Sequence, residues 1–238
     1  MISFFPKDSR YIQNFPQRKI CGYGLFSSSA RFDPDNQFLG DIYSFNDYFC
    51  DPGYGIPTHP HEFFEVVCLQ ISGRMHFHDF MGHDAITSAG SVHHFSSASG
   101  YLHSNSVVGE EMMRFVSIWI RPTKKQMHPC YRQRFFGDRM FSLNAMEKLI
   151  TNAKDSDPQE ALIAPVNVEI FGASVDTEGF STLLHKADTA LLYVVSGNIL
   201  VDGINLQEGD HLRITDCDRI QMRGTPKGQL IIVCTKSE

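Results

Sequence analysis

Thr58-His59-Pro60-His61 sets two imidazoles one residue apart in a stretch rich in β-formers. Successive side chains of an extended chain alternate between faces, so His59 and His61 point the same way. Two neutral imidazoles on one side are the start of a transition-metal site. His103 and Asn105, in Gly100-Tyr101-Leu102-His103-Ser104-Asn105, repeat the spacing. Two strands supplying such pairs to one barrel interior would converge on a single ion. Three nitrogens and one oxygen would hold it, with positions left open for a substrate or O₂. A His-x-His pair is also common as plain surface or as satisfied core, and a neutral Asn is a weaker donor than a carboxylate.

Glu65 lies four residues after His61 and shares its face if the strand is unbroken. It is a candidate carboxylate ligand, a candidate general base, or one half of an ordinary ion pair. His93 and His94 are adjacent and face opposite ways, so one of them can enter an interior. His76, His78 and His83 have no convergent partner in the sequence and read as surface or supporting residues. Gly-x-Ser-x-Gly, a protease-type Cys context and a phosphate-binding glycine loop are all missing.

Such a site needs rigid strands, and the chain supplies them. Phe63 to Ile71, Arg74 to Phe80, Ala85 to Thr87, Ser91 to Ser96 and Phe115 to Ile120 are short β-rich runs separated by turn residues. That rhythm suggests a sandwich or barrel. Residues 1–37 read as an arm of short extended pieces able to add edge strands. Ser142 to Leu149 reads as a short helix with Ser142 as N-cap. Asn152 to Pro158 is polar and turn-like, so the domain boundary is expected there. The second half repeats the theme with Val166 to Val175, Leu183 to His185, Ala190 to Val195, Ile199 to Val201, His211 to Ile214 and Leu230 to Cys234. Val201-Asp202-Gly203-Ile204 is a tight-turn signal. Leu69 to Met75 resembles Val194 to Ile199, and Ser88 to Ser91 resembles Gln207 to Asp210, as if one barrel were used twice.

Composition narrows the function. The 238 residues can form two modest domains or one large one. A net charge of −6, from 21 basic and 27 acidic residues, argues against direct nucleic-acid binding. No apolar run approaches the ~20 residues needed to span a bilayer. Met1 to Lys7 lacks the layout of a signal peptide. Six scattered cysteines without a Cys-x-x-Cys pair suit reduced thiols, and a cytoplasmic protein is expected.

The stretch from Gly53 to Gly90 resembles the cupin signature through Gly53, His59, His61, Glu65 and Gly73, then Gly82, Gly90 and His93; Ser88 and Ser97 stand where that signature has Pro and Asn. A closer resemblance is to the pirin family, which are bicupins. It is carried by Phe45-Asn46-Asp47-Tyr48-Phe49, His59 to Glu65, Asp79-Phe80-Met81-Gly82-His83, Gly100 to Asn105 and Ile118-Trp119-Ile120-Arg121-Pro122. It covers most of residues 38–136 and continues more weakly beyond.

The resemblance implies an all-β bicupin of two tandem double-stranded β-helix (jelly-roll) barrels, 1–150 with the metal site and 151–238 without metal. It implies one divalent transition metal, iron first, with Ni, Cu, Mn or Zn as alternatives. The family's ligand positions map to His59, His61, His103 and Asn105. Asn105 stands where the family has Glu, so Glu65 and His93 remain alternative ligands. The implied activity is that of a quercetin 2,3-dioxygenase, with O₂ and a flavonol or similar enol-bearing aromatic as substrates and Glu65 as a possible base. The alternative is a non-catalytic bicupin that binds a ligand or a regulatory protein partner.

Overall fold

The structure is a computed structural model that describes residues 1–27, 32–123, 128–152, 161–184 and 188–236. Its strands are β1 Ile2–Phe5, β2 Tyr11–Phe15, β3 Ile20–Gly24, β4 Ile42–Cys50, β5 Gly55–His61, β6 Glu65–Ser72 and β7 Arg74–Asp79. They continue with β8 Asp84–Ser88, β9 Ser91–Ser96, β10 Tyr101–Val107, β11 Met113–Ile120, β12 Cys130–Phe135 and β13 Glu147–Asn152. The last seven are β14 Leu162–Ala164, β15 Val168–Val175, β16 Phe180–Leu183, β17 Asp188–Val201, β18 Ile204–Gln207, β19 His211–Ile214 and β20 Arg219–Lys236. Helical structure among the described residues amounts to three short 3-10 turns.

The first barrel sets a seven-stranded sheet, ordered β12-β9-β6-β11-β4-β3-β2, against a four-stranded one, ordered β5-β10-β7-β8. Gly73 (φ +71°) turns the chain from one sheet into the other between β6 and β7. The second barrel is built from one nine-stranded sheet. Its long strands β17 and β20 run through both halves, since β17 pairs with β19 along 190–193 and with β18 along 198–201. The two halves thus form a bicupin.

Burial follows position in this architecture. β7 and β10 alternate, with Met75, Phe77, Tyr101, His103 and Asn105 buried and their neighbours more exposed. β6, β9 and β11 are buried along both faces; β6 and β11 are mostly apolar, whereas β9 buries Ser91, His93, His94 and Ser96 beside Val92 and Phe95. One face of β6 and β11 (Val66, Cys68, Ser117, Trp119) lines a cavity in the first barrel. The other (Val67, Leu69, Ile118, Ile120) packs with Leu191, Tyr193, Ile231 and Val233 in the core between the barrels. The interior of the second barrel is filled by Leu192, Val194, Leu212, Ile214, Met222 and Ile232.

An ionic bridge ties the halves together. Arg114 on β11 grips Asp47 on β4 with Nε at 3.0 Å and Nη2 at 2.7 Å, and the Tyr193 hydroxyl on β17 donates to the same carboxylate at 2.6 Å.

Several sequence expectations need revision. The helix over 142–149 is absent: a 3-10 turn spans Gly137–Phe141, and Glu147 onward is β13. Leu149, Ile150 and Thr151 gain more by burial against β15 than a short capped helix could return. The division at 150/151 falls inside β13, and β1 pairs with β19, so residues 2–5 and 147–150 lie in the second sheet. Ala190 to Val195 and Ile199 to Val201 are parts of one strand, β17. The turn at Asp202-Gly203 forms as read, with φ of +43° and +85° and Val201 paired to Ile204. The polar stretch 153–158 and His185 lie outside the described residues.

Candidate metal centre

β5 and β10 are antiparallel neighbours in register, with His59 opposite His103 and His61 opposite Tyr101. Alternation therefore turns His59, His61 and His103 toward one interior point. His61 Nε2 lies 3.0 Å from His59 Nε2 and 2.9 Å from His103 Nε2. Two imidazole nitrogens each about 2.1 Å from one ion, at a right angle to each other, would stand about 3.0 Å apart. The two spacings at His61 fit such an ion; the three ligand atoms together lie within 4.8 Å of one another, so His59 and His103 would close up slightly around an ion held by all three.

The protonation states fit as well. His59 Nδ1–H donates to the Pro57 carbonyl at 2.9 Å, which leaves the Nε2 lone pair facing the cluster. Burial, then the nearby His59, lowers His61 to about 3. Burial, then His59 and His61, lowers His103 to about 2. His59 is lowered by burial against the opposing pull of its bond to Pro57. At neutral pH the cluster therefore presents uncharged rings, the form that binds a metal.

Asn105 enters from the same face of β10. It is buried, it lines the same cavity, and its Oδ1 has no hydrogen-bond partner. A buried carbonyl oxygen without a donor costs about 1–3 kcal/mol, and a cation at the cluster would satisfy it. Among the described residues, His59, His61 and His103 are the one grouping of three such side chains that could hold an ion.

Aromatic walls shape the cavity. The Trp119 ring meets His61 edge-on at 4.8 Å, and Phe95 does so at 5.2 Å. Phe77 lies 5.4 Å from His103. The enclosed space is about 50 Å³.

Glu65 is not part of this cluster. Phe63 (φ +61°) lies between β5 and β6, so the strand is broken and the parity that put Glu65 on the His61 face does not carry across. Val66 faces the cavity, whereas Glu65 turns the other way and is buried. Its carboxylate takes a bond from His94 Nε2 at 2.6 Å and one from Ser96 Oγ at 2.8 Å. With both oxygens engaged and the chain turned away, it has no geometry for ligation or for proton abstraction at the cluster. His93 enters the first barrel, but its Nδ1 meets the Tyr131 hydroxyl at 2.7 Å and its Nε2 meets Thr87 Oγ1 at 3.2 Å. Burial lowers it to about 4, so it is a neutral, satisfied core histidine.

Asp79 was not singled out by the sequence reading. It is buried opposite His103 and accepts from the Tyr101 hydroxyl, from His83 Nδ1 at 2.8 Å and from the backbone N–H groups of Met81 and His83. It anchors the turn after β7 beside the strand that carries His103. The signal was Asp79 followed by Gly82-His83, a turn that an Asp side chain commonly closes. Trp119 was not singled out either; its signal was the alternation of Phe115, Ser117 and Trp119, which line the cavity, with Val116, Ile118 and Ile120.

No helix among the described residues is long and apolar enough to cross a membrane. Residues 8–120 match the pirin family model. A pirin-like protein from Caulobacter vibrioides is 28% identical over 212 residues, covering 87% of this chain and 89% of that protein. A quercetin 2,3-dioxygenase from Escherichia coli K12 is 23% identical over 210 residues, covering 87% of each. The crystal structure of the Escherichia coli bacterial pirin YhhW in complex with nickel(II) superposes with a TM-score of 0.88 at 21% identity, over the whole of both chains. The matched segment contains all four residues that line up at the cluster, and the same barrel pair recurs in the solved relative. Residues 8–120 thus carry the pirin family's pattern, and the whole chain shares the fold of a bacterial pirin.

Proposed function

We propose that this chain is a metal-dependent bicupin that works as a quercetinase-type dioxygenase, with His59, His61 and His103 holding one divalent transition ion and Asn105 Oδ1 as the fourth donor. The observation that carries this reading is the convergence of three neutral Nε2 atoms, with an unpartnered buried amide oxygen in the same cavity. Iron remains the first expectation. The nickel(II) complex of the bacterial pirin supports nickel as an alternative, and the imidazole-rich set also suits Cu and Zn, with Mn a weaker match.

A bound ion would supply Lewis acidity toward an enol oxygen of the substrate and a place for O₂ beside it. Both oxygen atoms would enter the product as the ring opens, and the excised ring carbon would leave as carbon monoxide. The chain's own contribution is positioning. Pro57 fixes the His59 ring through Nδ1–H, and burial keeps His61 and His103 uncharged. Trp119 and Phe95 exclude water from one side of the cluster. With Glu65 paired to His94 and Ser96, the enzyme would take its substrate as the enolate rather than deprotonate it with that carboxylate.

Cavity size sets how the substrate would lie. About 50 Å³ is room for a few waters, against the ~300 Å³ or more of a pocket that encloses a drug-sized ligand. A flavonol would present its chelating edge at the mouth and keep most of its rings outside. The same small cavity, with a neutral amide at the fourth position, favours a second reading: a ligand- or partner-binding regulatory bicupin without turnover.

Aerobic incubation of the metal-loaded protein with quercetin separates the two. The dioxygenase reading expects loss of the flavonol's visible band, one carbon monoxide per substrate, and at least ~100-fold slower turnover in His103→Ala. Full metal occupancy with no carbon monoxide from quercetin or from smaller enol-bearing aromatics would leave the regulatory reading.

A further inference from the structure

A second cavity lies at the seam between the two barrels. It encloses about 410 Å³, within the range of about 300–1,000 Å³ that takes small organic ligands. It shares no lining residue with the cavity at the imidazole cluster. One side is the second sheet. Ser174 on β15 stands directly opposite Gln229 on β20, and Lys227 lies two residues along β20, so the three side chains share one face. The other side is mainly apolar, with Ile71 at the end of β6, Phe141 of the 3-10 turn, and the exposed Phe135 and Leu143. These walls are already fixed. The Phe136 N–H donates to the Gly90 carbonyl at 2.8 Å, the Ser174 N–H to the Ser142 carbonyl at 2.9 Å, and the Asn144 N–H to the Ser174 carbonyl at 2.7 Å.

The polar side holds three donors in want of an acceptor. Ser174 is 2% exposed, and its Oγ has no hydrogen-bond partner. A buried hydroxyl left unpaired costs free energy that a ligand oxygen would return. Gln229 Oε1 accepts from Ser196 Oγ at 3.0 Å, which leaves the amide NH2 to donate. Lys227 forms no ion pair among the described residues. We propose that this seam binds a small aromatic carboxylate, with the carboxylate on Ser174, Gln229 and Lys227 and the ring against Ile71, Phe141 and Leu143. One ammonium and two neutral donors match a single negative charge. A phosphate dianion suits the site less: no Arg fork lines it, and the exposed Asp138 carboxylate adds repulsion.

The plainer account is a water-filled seam, with the Ser174 hydroxyl meeting solvent. The two accounts differ in what they predict for an added carboxylate. A ligand bridging the second sheet and the 3-10 turn of the connecting segment would raise the melting temperature with its occupancy. A wet seam would leave the melting temperature indifferent to it.

The test is isothermal titration calorimetry of the full-length, metal-free chain with 2-naphthoate, alongside thermal melts. One 2-naphthoate per chain is expected, binding at least about fivefold more tightly than the neutral 2-naphthamide. Lys227→Met is expected to weaken it about fivefold and Ser174→Ala about threefold. Leu143→Arg, which fills the apolar side, is expected to abolish it. Lys227 and Leu143 are exposed, so these two variants keep the fold, and Ser174→Ala removes a hydroxyl that makes no bond within the protein. Affinity in His61→Ala should stay within about twofold of wild type, which separates this site from the imidazole cluster. No saturable binding up to about 5 mM, affinity unchanged by both Lys227→Met and Leu143→Arg, or loss of binding in His61→Ala would overturn the proposal. Tighter binding of 2-naphthyl phosphate than of 2-naphthoate would overturn the choice of a carboxylate. None of these results bears on whether the imidazole cluster holds a metal.

Discussion

Replacing Glu65 by Gln separates a residue that holds the fold from one that works at the metal. Glu65 is 1% exposed and accepts bonds from His94 Nε2 at 2.6 Å and Ser96 Oγ at 2.8 Å. Hydrogen bonds to an ionised acceptor contribute about 1.5–3 kcal/mol each, against about 0.5–1.5 for neutral ones. The amide keeps the shape and can still bond to both partners, so the loss is the difference, about 2–3 kcal/mol over two bonds. For a chain of this size each kcal/mol moves the melting temperature by about 2–4 °C, giving a fall of about 4–12 °C. Thermal melts of the metal-free protein in chelator measure that directly. Competition with a chromogenic chelator gives the metal affinity of the same variant, which should stay within about threefold of wild type. A tenfold or larger loss of affinity with unchanged melting would place the carboxylate at the ion and refute the geometry described for β6.

Asn105→Glu adds an anionic donor at the cluster, so the protein should hold its ion at least ~10-fold more tightly in chelator competition, while the metal-free form loses several kcal/mol from an unpaired buried carboxylate; unchanged affinity would put the Asn105 oxygen outside coordination. Acid should destabilise the metal-free protein through its buried histidines. His61, His93, His103 and His211 are lowered to about 3, 4, 2 and 3, mainly by burial. Their folded-state values lie below the unfolded value of about 6.5, so their stabilising contribution is complete above that pH and is lost as pH falls below it. Urea unfolding between pH 6.5 and 5 should show uptake of several protons on unfolding, and a flat profile would contradict the assigned burial. Arg114→Met leaves Asp47, which is 0% exposed, with Tyr193 but without its cation; a loss of about 3–5 kcal/mol is expected, read as a lower melting temperature with metal affinity unchanged.

The sequence was most informative where one strand settled the geometry. His59 with His61, and His103 with Asn105, each lie within a single strand, and period-two alternation was enough to face them inward. It failed where a break intervened. Glu65 is four residues from His61, but the positive φ at Phe63 lies between, and the face was lost with the strand. His93 could be ranked as a ligand only while Tyr131 and Thr87 were unknown partners, because hydrogen bonds from distant strands leave no local pattern. The pairing of His76 and His78 with Asp84 was hidden for the same reason: it depends on the β7–β8 register, which no spacing within β7 reveals. The helix expected after Ser142 lost to burial against β15, a tertiary effect that overrides a weak local preference. Fold class was legible from turn rhythm and from the repeated segments. The course of the arm was not, because the pairing of β1 with β19 joins residues more than two hundred positions apart.

The central claim is that His59, His61 and His103 hold one transition ion. Its most direct test is elemental analysis with metal-edge X-ray absorption on protein purified without chelator, with and without the change His61→Ala. The account predicts about one ion per chain, with imidazole nitrogens about 2.1 Å from it, and loss of that ion with His61→Ala. Metal-free protein that takes up no ion when one is offered, or full occupancy that survives His61→Ala, would contradict it.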